Sequence, residues 1–216
     1  MAQPLLAAHN FTAVALSLCR KSPATNPELV EALKDVDAQV ERAVQIVKRI
    51  QGFIARRSPT REAFDLNAAV HEAAALLHHD LLERKIELKL GLRFVLPLVF
   101  ADNILVQQVI INLLRNAMDA ISECHCETRD IEIETALDPP GHVRLTVSDH
   151  GPGIAAEDVE AIFTPFHSTK SSGLGLGLSL SRTIIEASDG QLWAANRPSG
   201  GAIFSLTLPT AHGAKL

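Results

Sequence analysis

Only three cysteines occur among the 216 residues, too few for a disulfide framework, and no charged start with a cleavage site follows Met1. Both absences point to a reducing, cytoplasmic setting. Long apolar runs are missing as well. Stretches such as Phe94-Val95-Leu96-Pro97-Leu98-Val99-Phe100 fall far short of the roughly 20 residues needed to cross a bilayer, which sets membrane contact aside. Lys and Arg form no long run and the net charge is −5, so the electrostatic footprint of a nucleic-acid binder is absent. There is no G-x-x-x-x-G-K-[ST] and no G-x-G-x-x-G, which excludes the common P-loop and dinucleotide sites. No internal repeat is evident. What is present, 47% hydrophobic and 21% charged residues, suits one or two ordinary globular domains.

Two regions differ in periodicity. Leu29, Leu33, Val36, Val40, Ala43, Val47, Ile50 and Ile54 alternate steps of four and three, a heptad seam on one long helix. The turn cluster Ser22-Pro23-Ala24-Thr25-Asn26-Pro27 precedes it, so residues 3–21 read as an antiparallel partner helix. Two helices do not bury such a seam fully. Two copies of the hairpin pairing into a four-helix bundle would, which predicts a homodimer; packing of the hairpin on its own C-terminal domain is the alternative. The expected organisation is a hairpin over 1–57, a linker over 58–63 and a second domain over 64–212. In that domain the pattern predicts helices near 67–83, 102–122, 157–162 and 176–188. Strands are expected near 85–92, 98–100, 130–136 and 142–149, with a final hairpin at 190–208. The class is α+β, a mixed sheet with helices on one face.

Three segments carry chemistry. On the helix after Asp102, Val106, Val109, Ile110, Leu113, Leu114, Ala117 and Ile121 form an apolar face, while Gln108, Asn112 and Asn116 recur every fourth residue. Asparagine is unfavourable in a helix interior, and two aligned carboxamides offer neutral oxygens to a hard cation such as Mg²⁺; a merely solvated face is the bland reading. Next, Val143, Leu145 and Val147 alternate with Arg144, Thr146 and Ser148, a half-buried strand that delivers Asp149 into His150-Gly151-Pro152-Gly153-Ile154. A carboxylate there can accept from an exocyclic amine, with glycines letting a flat ring approach the backbone. Third, Phe163-Thr164-Pro165-Phe166-His167-Ser168-Thr169-Lys170 leads into Ser171-Ser172-Gly173-Leu174-Gly175-Leu176-Gly177-Leu178 and an apolar helix. Amides at that helix start, with Lys170 and the hydroxyls of Ser168 and Thr169, suit a polyphosphate under a flexible lid.

In this order the segments resemble the catalytic domain of two-component sensor histidine kinases, within the GHKL (Bergerat) ATPase fold shared with gyrase and heat-shock chaperones. Residues 108–120 (QVIINLLRNAMDA) look like the N box, Asp149 to Ile154 like the first glycine box, Ile162 to Lys170 like the F box, and Gly173 to Leu178 like the second glycine box. The resemblance implies that Asn112 and Asn116 handle Mg²⁺ and phosphates, that Asp149 reads the adenine amino group beside Gly151, Gly153 and Ile154, and that Lys170 meets phosphate. The lid it implies, over 163–175, draws on Phe163, Ser168, Thr169, Gly173, Leu174 and Gly175, followed by Leu176 and Gly177; Thr207 on the last strand would assist adenine. Where hydrolysing relatives place a glutamate this chain has Asn112, which cannot act as a general base, so transfer to protein histidine is favoured over hydrolysis. The implied partners are a second copy through the hairpin and a response-regulator receiver domain.

The family's acceptor motif, H-E-x-x-Q-P-L, is matched only at its tail by Gln3-Pro4-Leu5, which places the acceptor two residues before Met1. His9 lacks the following acidic residue, and His71-Glu72 has no downstream proline. Cys124-His125-Cys126 has no matching half to complete a zinc site, and His78-His79 and Trp193 default to surface and sheet packing.

Overall fold

The chain divides into two compact units, Met1–Arg57 and Ser58–Leu216. The computed structural model describes residues 14–15, 31, 33–38, 40 and 60–211, the last range without 125, 127, 166 and 168–174. In the first unit the described residues are helical. Of the heptad seam, Leu33 and Val40 are half-buried and Val36 is 48% exposed; its other members lie outside the described residues.

The second unit is built on a five-stranded mixed sheet. Its strands are β2 (Glu87–Gly91), β4 (Asp130–Asp138), β5 (His142–Asp149), β6 (Gln191–Asn196) and β7 (Ala202–Pro209), in the order β2-β4-β5-β7-β6. Only β2 and β4 run parallel. A separate pair, β1 (Glu62–Phe64) and β3 (Val99–Ala101), is antiparallel. The expected linker is shorter than its sequence suggests. Glu62 and Ala63 are strand residues, the Thr60 N–H donates to Asp102 Oδ2 at 3.0 Å, and Arg61 Nη1 donates to Asp189 Oδ2 at 2.7 Å.

Three helices cover one face of the sheet. The middle one, α2 (Asn103–Glu123), lies over β4 and β5, with α1 (Leu66–Glu83) beside it near β2 and α3 (Gly177–Glu186) beside it near β6 and β7. The apolar face read from the sequence is the one buried: Val106, Val109, Ile110, Leu113, Leu114, Ala117 and Ile121 are each at most 1% exposed, joined by Met118. The helix packs on β4 and β5, where Ile131, Ile133, Val143 and Leu145 are fully buried. At about 1.5–3 kcal/mol for each fully buried side chain, this layer is what holds α2 in register with β5. The helix expected near 157–162 is mostly turn, ending in one 3-10 turn at Ala161–Phe163.

Candidate nucleotide site

β5 is the middle strand, and its last residue is Asp149. The alternation of Val143, Leu145 and Val147 buries one face, so the strand end is fixed before the chain turns. Asp149 is 2% exposed, and its Oδ1 accepts from the Gly151 N–H at 2.8 Å and the Ala202 N–H at 3.2 Å. Both bonds use one oxygen, which orients the carboxyl group and turns Oδ2 to other donors. Burial pushes the Asp149 carboxyl above the usual carboxylate range, against the two backbone hydrogen bonds and the nearby His150 and Arg197. The β6–β7 turn makes this possible. Gly201 has φ +95°, and a Cβ there would lie 2.0 Å from the Asp149 carbonyl oxygen, so only glycine lets the turn close on the carboxylate.

The flanking residue His150 is tied outward. Its Nδ1 lies 2.5 Å from Asp130 Oδ1, and Lys89 Nζ pairs with the other oxygen of Asp130. Burial would raise the Asp130 carboxyl, but the Lys89 hydrogen bond and the charges of His150 and Lys89 outweigh it and hold the group below the ordinary range. The Lys89 ammonium is raised, first by its hydrogen bond to Asp130.

Across the site, Asn112 and Asn116 sit half-buried on one stripe of α2, as their spacing requires. Asn112 Nδ2 donates to Ser181 Oγ of α3 at 3.1 Å, and Ser181 is fully buried. That bond turns Asn112 Oδ1 to the start of α3, where a Cβ on Gly177 would stand 2.5 Å from it. Helices α1 and α2 begin under aspartate caps: Asp65 accepts from Asn67 and Ala68, and Asp102 from Leu105. Helix α3 begins at Gly177 after Leu176, which supplies no side-chain cap of the kind that Asp65 and Asp102 give to α1 and α2. Gly175, at φ +62°, packs against the His167 backbone.

Of the expected residues, Asp149, Gly151, Gly153 and Ile154 lie together at the end of β5, and Asn112 and Gly177 lie where α2 meets α3. Phe163 differs in role. Its ring is buried and the Arg182 guanidinium lies 4.6 Å over its centroid, so it packs the segment against α3. Thr207 is misplaced by the expectation. It pairs with Arg144, five residues before Asp149 and so about 16 Å away along the strand, and its hydroxyl accepts from the Gln191 N–H. The residue of β7 that reaches Asp149 is Ala202. Ser168, Thr169, Lys170, Gly173 and Leu174 lie outside the described residues. Sequence reasoning missed Ser181, visible as a polar residue on the apolar face of α3, and the Ala202 amide and Asn196, for which no local signal exists.

A profile of the histidine kinase-, DNA gyrase B- and HSP90-like ATPases matches residues 101–212, and the chain belongs to that family. Among curated relatives it is 35% identical over 210 residues to the sensor protein FixL of Bradyrhizobium diazoefficiens, covering 97% of this chain and 41% of FixL. The C4-dicarboxylate transport sensor protein DctS of Rhodobacter capsulatus is 34% identical, covering 96% of this chain and 31% of DctS. The chain thus spans well under half the length of these relatives. Of solved structures, the nucleotide-free catalytic domain of histidine kinase ThkA superposes with TM-score 0.61 at 33% identity, over 71% of this chain and 97% of that one. ThkA in complex with the response regulator protein TrrA gives TM-score 0.68 at 27% identity, over 97% of this chain and 60% of that one. The family is one of ATPases.

Proposed function

We propose that this chain is the kinase core of a two-component sensor. Residues 64–212 bind ATP with Mg²⁺, and the hairpin of residues 1–57 pairs with a second copy. The γ-phosphoryl passes to a protein histidine and then to an aspartate of a response-regulator receiver domain, in the cytoplasm. The observation that carries this reading is the buried Asp149 whose Oδ1 is tied down by two backbone amides. A carboxylate oriented in this way accepts from an adenine amino group, and the amides at the start of α3, after the glycine-rich segment, suit phosphate. Lys170, Ser168, Thr169, Gly173 and Leu174 complete the phosphate side in this proposal.

The carboxamide oxygens of Asn112 and Asn116 fit a hard cation held jointly with phosphates. Mg²⁺ bound there supplies charge neutralisation at the β- and γ-phosphates. Asn112 takes no proton from water, so the site positions ATP for a nucleophile brought from elsewhere: the γ-phosphorus bond to the bridging oxygen breaks as a bond to imidazole nitrogen forms. The complex of ThkA with TrrA supports a receiver domain as partner. Titration calorimetry tests the nucleotide half of the proposal. ATP should bind, and more tightly with Mg²⁺ than with a chelator; heat-silent mixing under both conditions would reject it.

A further inference from the structure

The loop Gly151–Ile154 is neither helix nor strand, yet it has to stay in place beside Asp149 for the pocket to read adenine. One side chain from a distant strand holds it. Asn196, the last residue of β6, accepts from the Ile154 N–H through Oδ1 at 2.7 Å and donates from Nδ2 to the Ile154 carbonyl at 2.7 Å. Both backbone polar groups of one loop residue thus go to one carboxamide, and the pairing fixes which way the amide faces. Its neighbours reinforce the hold. Ala202, the register partner of Asn196, gives its N–H to Asp149 Oδ1, and Arg197 Nη2 lies 3.5 Å from Glu132 while its N–H bonds to the Gly201 carbonyl. The β6–β7 turn therefore grips the nucleotide loop at both ends, at Asp149 and at Ile154.

We infer that Asn196 is a positioning residue for nucleotide binding, its carboxamide locking the Ile154 backbone so that the adenine side of the pocket is preformed. The inference rests on the ATP reading proposed above. Aspartate at this position would keep an acceptor for the Ile154 N–H and turn a second acceptor on its carbonyl, alanine would remove both bonds, and glutamine would push the amide one methylene too far.

Two measurements on wild type, Asn196→Ala and Asn196→Asp separate the inference from the reading beneath it. Amide exchange of Ile154 in the nucleotide-free protein reports the clamp itself; it should speed up about tenfold in Asn196→Ala, with the Thr207 amide on β7 unchanged. Affinities for Mg-ATP and Mg-ADP report what the clamp is for. Both should fall together by about tenfold in Asn196→Ala, and by less in Asn196→Asp, because the loss is on the adenine side. In a form of each protein with His-Glu added before Met1, phosphoryl transfer at saturating ATP should be unchanged while KM rises, a split that a general loss of folded protein does not produce. A freed Ile154 amide with unaltered nucleotide affinities would overturn the inference and leave the ATP reading standing. Wild-type protein that binds neither nucleotide would overturn both.

Discussion

Asp149 is a buried carboxyl group held in place at a cost to stability. Its carboxyl is raised by burial, so the folded state holds the proton more tightly than the unfolded chain. The stability it contributes is present below the unfolded carboxylate pKa and is lost as pH rises through the folded value; at neutral pH its ionised form is a net cost. Asp149→Asn keeps an oxygen for the Gly151 and Ala202 amides and replaces Oδ2 with a donor. We therefore expect unchanged or higher thermal stability near pH 7.5, and ATP affinity reduced about 10- to 100-fold, the loss of a charged hydrogen bond. Melting curves and calorimetry on the same samples check both directions. In the wild type, ATP affinity should begin to fall at a higher pH on acidification than an ordinary carboxylate would give.

At the scale of elements, α2 and α3 meet closely. Gly177→Ala places a Cβ 2.5 Å from Asn112 Oδ1, and the overlap is relieved only by moving the start of α3 or turning the Asn112 carboxamide. Either change should weaken Mg-ATP binding about tenfold or more, at a stability loss of about 1–3 kcal/mol, read by calorimetry and urea titration. The polar stripe of α2 and the end of β5 are legible in the sequence. The 3.6-residue spacing of the α2 core residues put Asn112 and Asn116 on one stripe, and strand alternation put Asp149 at a strand end, both from local pattern alone. What local pattern does not carry is register. The family resemblance implies an adenine role for Thr207, but β7 runs antiparallel to β5 and brings Ala202, not Thr207, level with Asp149's end. The strand β1 has three residues and owes its existence to β3, some 37 positions on, so nothing near Glu62 announces it. Asn196 and Ile154, 42 residues apart, are hidden for the same reason.

Over the whole second unit, Lys89, Asp130 and His150 link three neighbouring strands, from the edge strand β2 through β4 to the residue after β5. Asp130 is depressed in the folded state, so its contribution is present above the unfolded carboxylate pKa and disappears as pH falls through the folded value. Asp130→Asn should lower stability by about 2 kcal/mol at neutral pH, with the gap to wild type closing in acid; equal stabilities at pH 7 would remove the tie from the account. The first unit carries the other half of the proposal, since a nucleotide site transfers phosphate only if an acceptor is presented to it. The most direct measurement uses γ-labelled ATP and a form of the chain with His-Glu added before Met1, completing His-Glu-x-x-Gln-Pro-Leu through Gln3-Pro4-Leu5. The account predicts acid-labile, base-stable label on the extended form and none on the original chain. Label recovered only as free phosphate, from both forms alike, would contradict it.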